Sequence, residues 1–101
     1  MYNFNVLEEC ASALLSRKQY YDALKIYLFM ADGDKTLDGG YLGERIAYCY
    51  EMMGDLHAAK YWYGRAVEEN PEIDVYHRLR ERFGYVNIDE IIDPKSYQHE
   101  P

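Results

Sequence analysis

A helical pattern in the second half of the chain recurs, in weaker form, 36 residues earlier. When the two segments are aligned at that offset, small residues mostly fall on small ones and large residues on large ones. The matched pairs are Ala47 with Ala11, Ala59 with Ala23, and Tyr63 with Tyr27. A repeat of this length predicts stacked helical hairpins, because one hairpin cannot bury its own apolar stripe.

The spacing within the second copy predicts two antiparallel helices joined by a tight turn. Small side chains at Ala47, Ala59 and Ala66 let the two backbones approach closely, while large residues fill the gaps on one face of each helix. Those large residues are Ile46, Tyr50, Leu56 and Tyr63. Gly54 and Asp55 supply a turn residue tolerant of positive φ and a helix N-cap, and Pro71 ends the unit.

These residues resemble the tetratricopeptide repeat, a unit of about 34 residues built as helix, turn, helix. In residues 40–73 the matching positions are Ala47, Tyr50, Gly54, Ala59, Tyr63, Ala66 and Pro71. Residues 4–37 resemble a weaker repeat, with matches at Leu7, Ala11, Leu14, Ala23 and Tyr27. The departures are Lys18 at the turn glycine, Lys35 at the closing proline and Gly43 where the family prefers a large apolar residue.

The predicted fold is all-α, with antiparallel helix pairs stacked as a fragment of an α-solenoid. We expect helices near residues 5–17, 20–32, 40–53, 55–69 and 72–84, the last as a polar cap on a domain of residues 1–84. About two extra loop residues fall within residues 32–40, where Asp38 is expected to cap the third helix. The tail, residues 85–101, is predicted to hold a short helix at 88–92, and residues 95–101 are predicted to be disordered.

Composition narrows the classes of partner. The formal charge of −7 disfavours nucleic acid and anionic membrane surfaces, and favours neutral or basic protein segments. No apolar run approaches the ~18 residues that cross a bilayer, so a cytoplasmic location is expected. Cys10 and Cys49 are predicted to lie on the packing side of their helices, as free thiols. Twelve tyrosines suit both a core and an interface.

The family resemblance implies a groove lined by the first helix of each repeat, which binds a segment of another protein. The corresponding residues here are Glu8, Ser12, Glu44, Tyr48, Glu51 and His77. Such a groove is acidic and aromatic, whereas relatives that clamp the carboxylate tails of chaperones have basic residues there. A ligand with Lys or Arg and an apolar anchor would suit it. The alternative is a solvated acidic face without a ligand.

The segment from Tyr20 to Ala31 is apolar on nearly every side. A helix of this kind is usually covered on every side. Tyr21, Leu28 and Phe29 are therefore predicted to face a partner or a second copy of the chain. Alternatively, the tail covers them with Ile88, Ile91 and Ile92.

The predicted function is a non-enzymatic interaction module or adaptor, without cofactor, catalytic residues or metal. One alternative is a small chaperone of the secretion type, which masks a hydrophobic helix of an export substrate. A third is a calcium-responsive structural protein, based on the oxygen-rich segment of residues 32–39. Neither calcium-loop frame places glycine and glutamate at the required positions.

Overall fold

The computed structural model of the protein describes residues 3–82. Five α-helices form this part of the chain: α1 (Phe4–Ser16), α2 (Tyr20–Asp32), α3 (Tyr41–Met52), α4 (Leu56–Glu69) and α5 (Asp74–Glu81). Each helix packs against the next in chain order, giving two stacked antiparallel pairs and a final helix. The all-α prediction is confirmed.

The turns inside the two hairpins have the same backbone conformation, although their sequences differ. Gly54 has a φ of 87°, as its place in the turn predicted, and Lys18, its equivalent 36 residues earlier, has a φ of 61°. The Asp55 carboxylate then caps α4 by accepting a 3.1 Å hydrogen bond from the amide of Ala58. The first hairpin therefore forms the same turn without the glycine that favours it.

The loop between the hairpins is a left-handed turn. Leu37, Asp38, Gly39 and Gly40 all have positive φ values, and the Leu37 side chain is buried. The expectation that Asp38 caps α3 is wrong: the N-cap residue is Gly40, and no side chain caps it. Four successive left-handed residues place Asp38 before the helix entrance, where its amide bonds Asp34 instead.

Small residues occupy the close-approach positions that the repeat predicted. Ala11, Ala23, Ala47, Ala59 and Ala66 are all completely buried. Large apolar side chains between them form two core clusters, one centred on α2 and its neighbours and one between α3 and α4. The packing of small against large residues is what holds adjacent helices at close range.

Gly43 is a further close-approach point. A Cβ atom added there would lie 3.3 Å from both the amide nitrogen of Ala66 and the carbonyl oxygen of Trp62. The α4 backbone therefore occupies the space in which the resembling family places a large side chain. The departure at Gly43 follows from the nearness of α4.

The two ends of the described helical array, α1 and α5, match the predictions only in part. Helix α5 has no fully buried residue, as a capping helix should, and ends at Glu81. Cys49 is buried, but Cys10 is exposed, so its predicted place on the packing side is wrong. No neighbouring hairpin covers that side of α1 within residues 3–82.

The remaining predictions for the C-terminal segment concern residues outside those that the structure describes. They comprise the end of the predicted capping helix at residues 83–84, the tail, and the short helix at 88–92. Within residues 3–82, every helix is too short or too polar to cross a lipid bilayer.

Candidate protein-binding surfaces

The first predicted groove residues, on α1, are tied into the fold. Glu8 Oε1 accepts a hydrogen bond of 2.7 Å from the Tyr41 hydroxyl and one of 3.0 Å from the Ser12 hydroxyl. Burial raises the pKa of Tyr41, and the bond to Glu8 raises it further. Glu8 therefore links α1 to α3 across the boundary between the two hairpins.

On α3, the predicted Glu44 and Tyr48 meet through an arginine that sequence reasoning did not select. Arg45 donates two hydrogen bonds of 2.6 Å to Glu44, and its guanidinium carbon lies 5.1 Å from the centre of the Tyr48 ring. The hydrogen bond with Glu44 raises the pKa of Arg45. Tyr20 of α2 contacts Tyr48 edge to face, at a centroid distance of 6.1 Å. The group is a half-buried aromatic and charged patch.

The remaining predicted groove residues, Glu51 on α3 and His77 on α5, also have partners within the chain. Glu51 accepts a hydrogen bond of 2.8 Å from Tyr63 and two, of 2.9 and 3.0 Å, from Arg82. Burial alone would raise the pKa of Glu51, but these bonds hold it below its usual range. His77 Nε2 lies 2.7 Å from the carbonyl oxygen of Pro71. Glu51 therefore joins α3 to the end of α5.

These contacts change the chemistry expected of the groove. Glu44 and Glu51 pair with arginines, and Glu8 accepts hydrogen bonds from two hydroxyl groups, so the groove offers a ligand less unpaired negative charge than the sequence suggests. Sequence reasoning missed three of these partners, Tyr41, Arg45 and Arg82. Tyr41 and Arg82 lie far along the chain from the glutamates that they contact. Only the adjacent pair of Glu44 and Arg45 had a signal in the sequence.

The α2 side chains predicted to face a partner do not form one patch. Tyr21 is 64% exposed and Phe29 is 48% exposed, whereas Leu28 is half-buried against the core. Leu28 lines a cleft of about 290 Å³ on the α4 side, together with Trp62. Phe29 lines a different cleft, on the α1 side. Two of the three residues therefore remain candidates for an exposed contact.

The cleft on the α1 side is strongly apolar. It measures about 230 Å³ and is lined by Leu7, Lys25, Ile26 and Phe29. At the repeat offset of 36, Ile26 and Phe29 correspond to Trp62 and Arg65, which line the cleft between the hairpins. The cleft on the α1 side therefore corresponds to one half of the junction between the two hairpins.

A stripe on α1 shows the same relationship more clearly. Val6, Cys10 and Ala13 are exposed, and the residues 36 positions later are all buried. Those later residues are Leu42, Ile46 and Cys49, which belong to the core cluster that includes Leu24, Tyr27 and Met30 of α2. We call Val6, Cys10 and Ala13, with the adjoining cleft, the α1 end face. Sequence reasoning missed it, although the offset of 36 would have revealed it.

The oxygen-rich loop uses its central carboxylate internally. Asp34 accepts hydrogen bonds from the amide and hydroxyl of Thr36 and from the amide of Asp38. The Thr36 hydroxyl is the first cause of the lowered pKa of Asp34. No group of three potential metal-ligating residues occurs in residues 3–82.

Comparison of the chain with protein-family models, curated proteins and solved structures finds no match in any of the three.

Proposed function

We propose that this chain is a non-enzymatic protein-interaction module, similar to tetratricopeptide repeats, that binds a helical segment of another polypeptide. The observation that carries this proposal is the exposed stripe of the α1 end face. Its counterpart on α3 is buried beneath α2, so the fold itself indicates what covers such a stripe. A helix is the complementary occupant.

The chemistry of the α1 end face favours a largely apolar helix. Val6 is 54% exposed, and the adjoining cleft has an aliphatic and aromatic lining with Lys25 at its edge. Burying such side chains contributes about 25 cal/mol per Å² of apolar surface, before the costs of association. Neutral or basic segments are the preferred partners, because the whole chain carries a charge of −7.

The α1, α3 and α5 groove is a second contact region within the same proposal. Glu8 and Glu51 link helices and Glu44 pairs with Arg45, so Tyr48 and Tyr20 supply the contact area of this groove in a ligand complex. A ligand cation would compete with Arg45 for the Tyr48 ring. The proposed location is the cytoplasm, in keeping with the free thiols of Cys10 and Cys49.

A peptide copying residues 19–40 tests the proposal, since this segment supplies the cover of the α3 stripe in the intact chain. We expect saturable binding by NMR titration, with the largest shifts at Val6, Cys10 and Ile26. Val6→Glu should abolish binding, and a scrambled peptide should not bind. Failure of the peptide to bind, or binding that Val6→Glu leaves unchanged, would contradict the proposal.

The matched control is Val75→Glu. Val75 has the same side chain as Val6 and a similar exposure of 42%, but it lies on α5, in the second half of the described chain. Binding should survive this change. Equal losses in the two variants would show that added negative charge, and not loss of the α1 end face, weakens the complex.

A chaperone that masks an apolar export segment is the second candidate, and the exposure of Tyr21 and Phe29 favours it. Such a chaperone would bind the peptide through α2. Tyr21→Ser would then weaken binding more than Val6→Glu. The reverse order supports the interaction module.

A further inference from the structure

We propose that the α1 end face pairs with the same face of a second copy of this chain, forming a two-fold dimer. This inference rests on the proposed function, because it names the occupant of the surface described there. Its starting point is the exposed apolar stripe of α1, which occupies, one hairpin earlier, the position of the α3 stripe that packs against α2.

The distribution of charge permits two copies to approach through this face. Residues 4–33 carry four acidic and three basic side chains, a net charge of −1 against −7 for the whole chain. Asp22 and Lys25 are 3.7 Å apart in the same hairpin, so part of this charge is already paired. The excess negative charge lies in the later part of the chain. Salt screens charges separated by more than about 8 Å at physiological ionic strength.

The other end of the described array does not offer an equivalent surface. There, α5 covers the second hairpin and has Asp74 in its first turn and Arg78 and Arg80 in its last. A head-to-tail stack would place this charged helix against the apolar stripe of α1. A head-to-head arrangement instead places apolar surface against apolar surface, as a closed two-fold interface requires.

The pairing is expected to be weak. Each of the two helices at the face has 13 residues and is therefore about 20 Å long. Two helices about 10 Å wide and about 20 Å long present a face of roughly 400 Å², against the ~800 Å² per partner typical of a stable complex. Val6, Cys10 and Ala13 are also smaller than Leu42, Ile46 and Cys49, so they bury less apolar surface. The dimer should therefore form only as the protein concentration rises.

Sedimentation equilibrium of the full chain over a wide concentration range tests this inference. The wild-type mass should rise from that of a monomer toward twice that value and stop there. The double variant Val6→Glu, Cys10→Glu should stay monomeric, whereas Val75→Glu should follow the wild type. Circular dichroism of each variant checks that the helices are retained.

The rate of thiol labelling gives an independent readout. In the wild type, labelling of Cys10 should slow as concentration increases, while Cys49 stays protected throughout by its burial. In Val6→Glu, the Cys10 rate should not depend on concentration.

Three results would overturn the inference. The first is a wild type that is monomeric at every concentration and has a rapidly labelled Cys10; the proposed function would survive if the residue 19–40 peptide still bound. The second is a monomer in which Cys10 is always protected, because another part of the same chain then covers the face. The third is an oligomer that dissociates with Val75→Glu but persists with Val6→Glu.

Discussion

The Tyr63 hydroxyl donates a 2.8 Å hydrogen bond to Glu51, whereas its repeat equivalent, Tyr27, has no hydrogen-bond partner for its buried hydroxyl among the described residues. Both rings are fully buried. The difference arises because Leu15 stands 36 residues before Glu51. One repeat position thus supports a polar network in the second hairpin, whereas in the first burial raises the pKa of Tyr27 and Ser12, which lies near its hydroxyl, lowers that pKa.

This asymmetry predicts opposite responses to removal of the two hydroxyls. Tyr63→Phe should lower the free energy of unfolding by about 1.5–3 kcal/mol, because it removes a hydrogen bond to a charged group. Tyr27→Phe should leave it unchanged or raise it by up to about 1 kcal/mol, since an unsatisfied buried hydroxyl is costly. Urea unfolding of both variants measures this. Equal destabilisation by the two changes would contradict the account.

The two hairpin turns give a second matched pair. Lys18→Gly should raise the free energy of unfolding by roughly 0.5–1 kcal/mol, because glycine adopts positive φ without the cost that lysine incurs. Gly54→Ala should lower it by about 1 kcal/mol, for the same backbone reason. An added Cβ at Gly54 meets nothing within 4 Å, so no steric clash contributes. Thermal unfolding checks both, and a destabilised Lys18→Gly would refute the assignment of strain.

Introducing at position 43 the large residue that tetratricopeptide repeats prefer should destabilise this chain. Gly43→Trp should lower the free energy of unfolding by at least about 3 kcal/mol, because the α4 backbone occupies the space required. The control is Gly64→Ala, where an added Cβ would first meet Arg80 Nε at 3.7 Å. That change should be neutral or stabilising, given the helix propensity of alanine. Stabilisation by tryptophan would disprove the close approach of α3 and α4.

The contacts of Glu51 predict a loss of stability in acid. Burial would raise its pKa, but hydrogen bonds from Arg82 and Tyr63 outweigh burial and hold it below the ordinary value of 4.5. A lowered native pKa stabilises the fold above 4.5, and this contribution disappears as pH falls through the native pKa. Arg82→Gln should therefore destabilise the chain more at about pH 7 than at about pH 3.

Urea unfolding at both pH values measures the difference, with Arg78→Gln as the control on the same helix. No ion pair of Arg78 occurs in residues 3–82. The control should show no comparable dependence on pH. An Arg82→Gln effect of the same size at both pH values would exclude the proposed link.

Helix positions and the small packing residues could be predicted from the sequence, because both depend on local spacing. The turn at Gly54 and Asp55 was predictable for the same reason. Pairing between helices was not: Arg82 finds Glu51 only after three helices have stacked. The exposure of Cys10 likewise depends on what lies beyond α1. Its sequence environment matches that of a buried helical cysteine.

The left-handed conformation of the loop could not be predicted from the sequence. Glycines at positions 39 and 40 indicate a turn, but Leu37 and Asp38 adopt positive φ as well. Burial of the Leu37 side chain offsets the backbone strain at this residue. That burial depends on the stacking of both hairpins, so no local signal specifies it.

If the α1 end face accepts a helical hairpin, a hairpin added before α1 should cover it. A second copy of residues 4–39, with its own cysteine changed to serine, would be inserted before Phe4. The original Cys10 should then become as resistant to thiol labelling as Cys49, and the melting temperature should rise. A Cys10 that labels as rapidly as in the parent chain would contradict the claim.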